Sequence, residues 1–173
     1  MLKTSITAVP EEAWESPGGR FRQKSRAVSI HLGCDPRSPE AAKRHPFDFE
    51  HCTIPPKSSV CPFHSHSAQW EMYVFLSGND IVRDENGRHP VETENVVLFP
   101  PSEAHEIIND SSEEVVMLII TDNPIGESCY YPDSMKWFVQ TGAKREVIKG
   151  HPVDYLLDED PRAPESGSAT PPA

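Results

Sequence analysis

The sequence predicts an all-β protein, a sandwich or barrel of short strands. Proline accounts for 18 of the 173 residues, about twice its average share of roughly 5%, and it disrupts the interior of helices and central strands. Between residues 47 and 122, apolar residues recur in short runs with a period of two, and turn residues end each run. That range contains no convincing amphipathic helix of three turns. We therefore expect antiparallel strands closed into a barrel or packed as two sheets.

The first third of the chain is the least regular part. Residues 1–24 are polar and interrupted by proline and glycine, so we expect an arm that orders only where something holds it. The run RAVSIHLG at 26–33 predicts a strand. Residues 34–46 predict a loop with one short helical turn near Ala41.

Eight strand-like runs fill the range from 47 to 122. A hairpin is predicted at Asn86-Gly87, because both central residues of a type I′ turn favour positive φ and this dipeptide suits them. In chain order the runs are FDFEHCTI, SVCPFHSH, WEMYVFLSG, DIVRD, RHPVE, VVLFP, HEIIN and EEVVMLIITD.

The last part of the chain carries an aromatic cluster at 129–139 and a strand-like piece, HPVDYLL, at 151–157. The acidic and proline-rich residues 158–173 cannot bury enough apolar surface to offset their ordering entropy, which predicts disorder. With about 100 to 200 residues per domain, we expect a single barrel over residues 25–157 between the arm and this tail.

The net charge of −11 at pH 7 argues against nucleic acids and anionic membranes as partners, because both require clustered Lys and Arg. A small molecule or a protein is the expected partner. The four cysteines are scattered, and the N-terminus has no apolar signal-like region. No apolar stretch approaches the roughly 20 residues of a membrane span, so we expect a soluble, cytoplasmic protein with reduced thiols.

His64 and His66 are separated by one residue, so on a strand both imidazoles project from one face and can bind one ion. Glu71 follows across a short turn and could supply an oxygen ligand. His105, after Pro100-Pro101, could supply a fourth ligand from another hairpin. Three histidines and one glutamate suit one divalent transition metal (Fe, Mn, Ni, Zn, Co or Cu) and leave coordination positions open for water or substrate.

Two stretches resemble the two conserved motifs of the cupin superfamily, with the spacing between their residues intact. The first motif corresponds to His64-x-His66-x4-Glu71-x6-Gly78. The second corresponds to Glu94-x5-Pro100-x-Ser102-x2-His105-x3-Asn109. The resemblance covers roughly residues 47–122, and the pair TDNP and YYPDS is similar to a group of single-domain bacterial cupins described as sugar-phosphate isomerase-like.

This sequence departs from the motifs at three glycine positions. Glu94 and Ser102 replace the two glycines of the second motif, and the glycine before the first motif's histidines is also missing, with Ser58 or Ser59 nearby. These are turn positions rather than ligand positions. The departures therefore concern the local backbone and leave the metal ligands unchanged.

The resemblance implies a double-stranded β-helix, also called a cupin or jelly-roll barrel, which usually forms a homodimer. It also implies an ion in the mouth of the barrel, held by His64, His66, Glu71 and His105. Asn109 would lie inside, near the ligands, as a second-shell or packing residue.

Strand parity extends the prediction to a pocket. If Glu71 faces inward, Tyr73 and Phe75 share its face, and Ile107 and Asn109 share the face of His105. We therefore expect an ion surrounded by aromatic and aliphatic side chains with few charges, which favours a small, partly apolar ligand.

Two residues are candidate catalytic groups. Tyr73 could donate a proton to a bound substrate, although lining the barrel is the more common role of such a residue. Glu103 could act as a general base, although a carboxylate at the water-exposed rim is the simpler interpretation. Cys61 is expected to be a small core residue rather than a ligand, and the aromatic cluster at 129–139 is expected to pack the final segment onto the barrel rather than to form a lid.

Two functional hypotheses follow. The first is a metal-dependent enzyme acting on a small molecule, by isomerase chemistry or by dioxygenase chemistry at iron. The second is a non-catalytic sensor or binding protein that holds a ligand in the barrel. The sequence does not name the substrate.

Overall fold

The computed structural model describes residues 1–36, 38, 40–141 and 144–159. Within these ranges the chain forms fourteen strands in three antiparallel sheets, one four-residue α-helix and three short 3-10 turns, and the predicted all-β class is confirmed. The elements are β1 Glu12–Glu15, β2 Arg22–Ala27, α1 Val28–His31, β3 Phe47–Ile54, β4 Ser58–Ser59, β5 Ser65–His66, β6 Glu71–Ser77, β7 Asn79–Asp84, β8 Gly87–Glu92, β9 Val96–Phe99, β10 Glu106–Asn109, β11 Val115–Asp122, β12 Cys129–Tyr131, β13 Lys136–Thr141 and β14 Lys144–Lys149.

The core lies between two of the three sheets. One has six strands in the order β1-β2-β3-β11-β6-β9, and the second has four in the order β4-β10-β7-β8. A third sheet, β14-β13-β12-β5, adds the C-terminal strands to the short β5. Both of the first two sheets contribute to one buried cluster: Cys52, Ile54, Tyr73, Phe75, Val82, Val91, Phe99, Ile107, Val115 and Met117.

Strand β6 shows how the period of two builds this core. Its residues alternate between buried and half-buried as far as Phe75, so Glu71, Tyr73 and Phe75 share the inner face as predicted. The strand ends at Ser77, and the next residue, Gly78, has a φ of +90°. A Cβ there would lie 2.8 Å from Val115 Cγ2, so the close approach of β11 requires glycine at this position.

The hairpin predicted at Asn86-Gly87 is present between β7 and β8, but its turn differs from the predicted one. Asp84 pairs with Gly87, so Glu85 and Asn86 are the central residues, and neither has positive φ. The carboxylate of Asp84 accepts hydrogen bonds from the backbone N–H groups of Asn86 and Gly87 at 2.7 and 2.9 Å. This Asp84 cap holds the turn in place of two left-handed central residues.

The N-terminal region is more regular than the sequence suggested. Strands β1 and β2 form a hairpin that extends the six-stranded sheet through the pairing of β2 with β3. The strand predicted over 26–33 is wrong after Ala27, because residues 28–31 form the short helix α1, which packs against β3. The predicted helical turn near Ala41 is confirmed at Ala41–Lys43.

The C-terminal strands also differ from prediction. The aromatic region forms β12 and β13, and β14 follows them. Residues 151–157 do not form the predicted strand, because the buried Asp154 accepts a hydrogen bond from the backbone N–H of Leu156 and begins a turn. Of the predicted disordered tail, residues 160–173 lie outside the described residues. Within the described ranges, no helix has the length and apolar character to cross a bilayer.

The three missing motif glycines correspond to left-handed backbone conformations. Glu94 has a φ of 72°, Ser102 a φ of 73°, and Lys57, immediately before Ser58, a φ of 57°. A side chain with a Cβ costs about 1–2 kcal/mol in this region relative to right-handed conformations. The chain therefore keeps the turns of the family motif with side chains that fit them poorly.

We expect Glu94→Gly to raise the free energy of unfolding by about 0.5–1 kcal/mol, because relief of the left-handed strain exceeds the entropy lost by glycine. Urea denaturation measures this effect. Glu85→Gly is the matched control, since Glu85 is an exposed turn residue without positive φ, and it should lower stability. An equal loss in both variants would contradict the assignment of strain to Glu94.

Asp80 is a buried carboxylate without a full set of partners. It is 3% exposed; Oδ1 accepts a hydrogen bond from the backbone N–H of Ile81, and Oδ2 has no partner among the described residues. Burial raises the pKa of Asp80 to about 7. Between pH 4 and pH 7 the folded state therefore keeps a proton that the unfolded state has lost, and stability falls as the pH rises.

Asp80→Asn should therefore be more stable than the wild type at pH 8, by about 1–3 kcal/mol, with a smaller difference at pH 5. Chemical denaturation at the two pH values measures the change. Asp133→Asn is the control, because hydrogen bonding with Arg83 lowers the pKa of Asp133 and an arginine keeps its charge over this window, so the effect of this substitution should not vary with pH. A difference for Asp80→Asn that does not vary with pH would contradict the prediction.

Candidate metal centre

Four side chains from three parts of the barrel converge on one point. His64 lies just before β5 and His66 within it, Glu71 begins β6, and His105 lies just before β10. One ligand atom from each of the four lies within 4.8 Å of the others. The structure thus brings together the four residues to which the motif resemblance gave the ligand roles.

The inner atoms of the cluster are at hydrogen-bonding distance or slightly beyond. Glu71 Oε2 lies 3.0 Å from His105 Nε2, 3.1 Å from His66 Nε2 and 4.0 Å from His64 Nε2. The Nε2 atoms of His64 and His66 are 3.0 Å apart. All three imidazoles therefore present Nε2 to the same carboxylate oxygen.

Backbone pairing fixes two of these ligands to each other. His64 and His105 form an antiparallel bridge, with His64 N–H donating to the His105 carbonyl at 3.0 Å and His105 N–H donating back at 2.8 Å. Phe99 stacks on the His105 ring, with centroids 4.0 Å apart and planes at 8°. These contacts set the position and the plane of His105 before any ion binds.

The outer nitrogen of each histidine faces a hydrogen-bond acceptor. His64 Nδ1 lies 3.0 Å from the Pro62 carbonyl oxygen, and His105 Nδ1 lies 3.2 Å from the Glu103 carbonyl oxygen. His66 Nδ1 lies 3.3 Å from Glu127 Oε1. Because these oxygens can only accept, each bond requires the proton on Nδ1, and in the neutral ring this leaves the Nε2 lone pair directed inward.

Three inward lone pairs and a carboxylate so close together repel one another unless a cation or protons lie between them. Imidazole nitrogens with one carboxylate oxygen are a ligand set that divalent transition metals accept. The donor set and its outer hydrogen bonds therefore fit a mononuclear divalent ion with His64, His66, Glu71 and His105 as its ligands.

The electrostatics of the cluster favour charge separation. Burial, together with the neighbouring His105 and His66 rings, lowers the pKa of His64 to about 4. Burial also opposes charge on His66, but hydrogen bonds with Cys129 and Glu71 outweigh it and raise the pKa of His66 to about 10. Burial alone would raise the pKa of Glu71, yet hydrogen bonds from His105 and His66 hold it well below the usual range.

The two candidate catalytic residues have different surroundings. Tyr73 is buried, and its hydroxyl lies 3.3 Å from His105 Nε2, next to the ligand cluster. Burial, and then the Glu71 carboxylate, raise the pKa of Tyr73 well above its usual range. The side chain of Glu103 is exposed, and its contact with the cluster is made by its backbone carbonyl.

The remaining pocket candidates belong to the closed core. Phe75 and Ile107 are each 1% exposed. Asn109 donates from Nδ2 to the carbonyl oxygens of Ile54, Pro55 and Glu113 at 2.8–3.1 Å. Asn109 therefore joins the Ile54–Pro55 segment to the loop at Glu113, and its amide has a structural role there.

Cys61 and the aromatic cluster lie behind the ligands. Cys61 Sγ is 3.4 Å from His64 Nδ1, on the outer side of the ring. Tyr131 stacks on His64 with centroids 5.9 Å apart, and Tyr130 stacks on Trp137 at 4.3 Å. The aromatic residues thus pack β12 and β13 against the ligand strand.

An open cavity of about 360 Å³ reaches His66 and Glu71. Its wall differs from the expected apolar ring, because Tyr73, Phe75 and Ile107 lie in the core instead. Phe49, Ile119 and Phe138 line part of the cavity, but much of its wall is polar or charged. The polar lining residues are Gln23, Asp48, Glu50, Gln69, Thr121, Asn123, Glu127 and Arg145.

Sequence reasoning missed three residues at this site. Glu50 could have been found, since it shares the strand parity of the core residue Cys52 on β3. Burial, and then the carboxylates of Asp48 and Glu71, raise its pKa above the usual range. Glu127 and Arg145 come from segments after the second motif, and no spacing signal in the sequence connects them with the ligands.

Comparison with known proteins agrees with this geometry. Residues 50–121 match the family described as "Cupin domain" (Cupin_2). A protein named oxalate-binding protein from Thermotoga maritima is 27% identical over 120 residues, which are 69% of this chain and 92% of that protein.

Two solved structures share the fold over most of the chain. One, from Acidithiobacillus ferrooxidans and described as a proposed sugar phosphate isomerase, has a TM-score of 0.72 and 20% identity, and covers 86% of this chain and 91% of its own. The other, described as a sugar phosphate isomerase from Silicibacter pomeroyi, has a TM-score of 0.71 and 18% identity, and covers 89% and 98%. Residues 50–121, which hold most of the barrel and both motifs, thus match the cupin domain, and the two solved structures show that most of the chain shares their fold.

Proposed function

We propose that this protein binds one divalent transition metal through His64, His66, Glu71 and His105 and acts as a metal-dependent enzyme on a small hydroxylated molecule. The observation that carries the proposal is the convergence of three Nε2 atoms and one carboxylate oxygen within 4.8 Å. The outer hydrogen bonds of the three imidazoles support it further, because they direct the lone pairs inward.

The cavity wall supports the choice of ligand class. Carboxylates and amide side chains on the wall offer many acceptors, which suit a ligand with several hydroxyl groups. Arg145 is the one Arg or Lys side chain among the described residues of this wall, so it can hold one negatively charged group. A polyol or hydroxy acid with an oxygen pair for the ion fits these features better than the partly apolar ligand expected from the sequence.

The residues of the cavity suggest isomerase chemistry. A bound divalent ion would act as a Lewis acid on a carbonyl or enediol oxygen. Glu50 lies on the wall with a raised pKa, so it is the candidate to accept and return a proton. The Tyr73 hydroxyl, 3.3 Å from His105 Nε2, can hydrogen-bond an oxygen bound beside that ligand.

Two alternatives belong to the same site. Dioxygenase chemistry at iron rested on an apolar lining, and the polar wall lends it less support than it lends isomerisation. A non-catalytic binding function draws support from the 27% identical relative, which is named an oxalate-binding protein. A binding protein of this kind would hold its ligand at the ion without turnover.

Protein purified without chelator should contain about one equivalent of a divalent transition metal per chain. His64→Ala and Glu71→Gln should lose it, because each removes one of four ligands. Elemental analysis by mass spectrometry measures the content. His89→Ala is the matched control, since His89 is an exposed histidine paired with Asp84. Absence of metal from the wild type after reconstitution with each candidate ion would reject the proposal.

A turnover assay distinguishes the enzymatic function from the non-catalytic binding function. The metal-loaded protein is incubated with sugars, sugar phosphates, hydroxy acids and oxalate, and products are followed by NMR. Glu50→Gln should remove turnover while retaining the metal. Thermal stabilisation by a ligand with no product from any compound would favour the binding function instead.

We also propose that the protein is a homodimer formed through the outer face of the six-stranded sheet. Strands β6, β9 and β11 read as nearly continuous apolar runs, which is typical of strands covered on both faces. Apart from Asp122 at the end of β11, their outward side chains carry no charge. These side chains, which we call the outer apolar face, are Met72, Val74, Leu76, Val96, Leu98, Val116, Leu118 and Ile120.

A second copy of the chain is the occupant that best fits this face. An uncharged apolar surface is complementary to itself, as a two-fold interface requires. Residues 160–173 contain no Val, Ile, Leu, Met or aromatic residue, so the end of the chain lacks the side chains to cover it. Exposed apolar patches of this kind mark interaction sites.

Leu98→Lys should convert the dimer to a monomer, because Leu98 is 52% exposed on this face and a lysine there would have to lose its hydration at the interface. Light scattering after gel filtration measures the mass. Val147→Lys is the control, since Val147 is exposed on β14, outside the outer apolar face. A monomeric wild type would contradict the proposed dimer.

A further inference from the structure

Glu127 lies in the loop before β12 and contacts the ligand His66 from outside the cluster. We propose that Glu127 is a positioning residue: it holds the His66 ring in one orientation, in the tautomer with the hydrogen on Nδ1, and thereby sets the metal affinity. This inference rests on the proposed metal-binding function. Glu127 is not one of the four proposed ligands, and it lies after residues 50–121, the range that matches the cupin family.

The Glu127 carboxylate is itself rigidly held. The backbone N–H of Ser67 donates to Oε1 at 3.0 Å, and those of Ala68 and Gln69 donate to Oε2 at 2.9 Å each. Its side chain is 20% exposed. Three N–H groups of consecutive residues form a concave anion-binding nest, and they fix the carboxylate at one place relative to His66.

The arrangement makes Glu127 a partner of a ligand rather than a ligand. Its Oε1 faces Nδ1 of His66 at 3.3 Å, whereas Nε2 of the same ring faces Glu71 at 3.1 Å. The ring therefore lies between two carboxylates, one on each nitrogen, and Cys129 Sγ is a second, more distant neighbour of Nδ1 at 3.6 Å. Both oxygens of Glu127 are already engaged by backbone donors, which leaves Glu71 as the carboxylate free to bind the ion.

His66 differs in this respect from the other two histidines. Neutral backbone carbonyls of Pro62 and Glu103 hold Nδ1 of His64 and His105, while an anionic carboxylate holds Nδ1 of His66. A charged acceptor stabilises the Nδ1 proton and increases the electron density at Nε2 more than a carbonyl does. His66 is therefore the strongest donor of the three imidazoles.

Glu127 also fixes the turn that joins two ligands. The three N–H groups from which it accepts hydrogen bonds belong to residues between His66 and Glu71. Glu71 is the last ligand of the first motif. The backbone N–H of Trp70 donates to Asp122 Oδ1 at 2.8 Å and extends the same anchoring. One carboxylate thus sets both the ring of His66 and the path of the chain from it to Glu71.

Glu127→Gln tests the role of Glu127. Both carboxylate oxygens accept hydrogen bonds, and the substitution replaces one of them with an NH2 group, which donates. Either His66 Nδ1–H or a backbone N–H therefore loses its acceptor. We expect metal affinity to fall about 10–100-fold, measured by competition with a chelator on protein that circular dichroism shows to be folded. The visible spectrum of the Co(II)-loaded variant should shift, since it reports ligand geometry. Glu146→Gln, on the exposed β14, is the control and should match the wild type.

A second measurement needs no variant. In the Zn(II)-loaded wild type, ¹⁵N-edited NMR should show a protonated Nδ1 on His64, His66 and His105, with the His66 proton shifted furthest downfield by its carboxylate partner. Equivalent protons on all three rings, or an unchanged Co(II) spectrum and affinity in Glu127→Gln, would overturn the role of Glu127. A wild type that binds no metal at all would instead reject the proposed function.

Discussion

Repulsion among four electron-rich atoms is the constraint on which the site depends. Glu71 Oε2 and the Nε2 atoms of three histidines lie 3.0–4.8 Å apart, an arrangement that is stable only if positive charge is shared among them. Contacts from several elements of the barrel hold the four atoms in this arrangement. Backbone carbonyls, the stacked ring of Phe99 and the pairing of β5 with β12 each hold one part of the cluster, so no single strand has to hold all four ligands.

The sequence allowed the all-β class and the four clustered residues to be predicted, because both depend on local regularities. Apolar residues that recur with a period of two identify strands, and the spacing His64-x-His66 places two imidazole rings on one face of a strand. The wall of the cavity was not predictable in the same way. Its polar residues include the acceptor Glu127, in the loop before β12, and the donor Arg145, on β14, and the positions of these segments depend on tertiary contacts between distant parts of the chain. The alternation along β3 does place Glu50 on the inner face. A charged residue is, however, normally expected on the solvent-facing side of a strand.

The errors of local prediction share a physical cause. Residues 28–31 contain Val and Ile, which favour strands, yet they form a helical turn that packs against β3. Residues 151–157 have strand-like composition, yet the side chain of Asp154 captures a nearby N–H and begins a turn. A tertiary contact at the first place and a local hydrogen bond at the second outweigh a propensity of a few tenths of a kcal/mol per residue. The same holds at Glu94 and Ser102, where the fold imposes a backbone conformation that the side chain disfavours.

The bridge between His64 and His105 has a consequence for metal selection. Two backbone hydrogen bonds join these ligands across forty-one positions of the chain, so the site is assembled by the sheet and does not require the ion to assemble it. A preformed site loses little conformational entropy when it is filled, and exchange of one ion for another can proceed without unfolding. On the proposed function, the ion bound in the cell would then be determined by the relative abundance of free metals, weighted by the intrinsic affinity order of nitrogen and oxygen ligands.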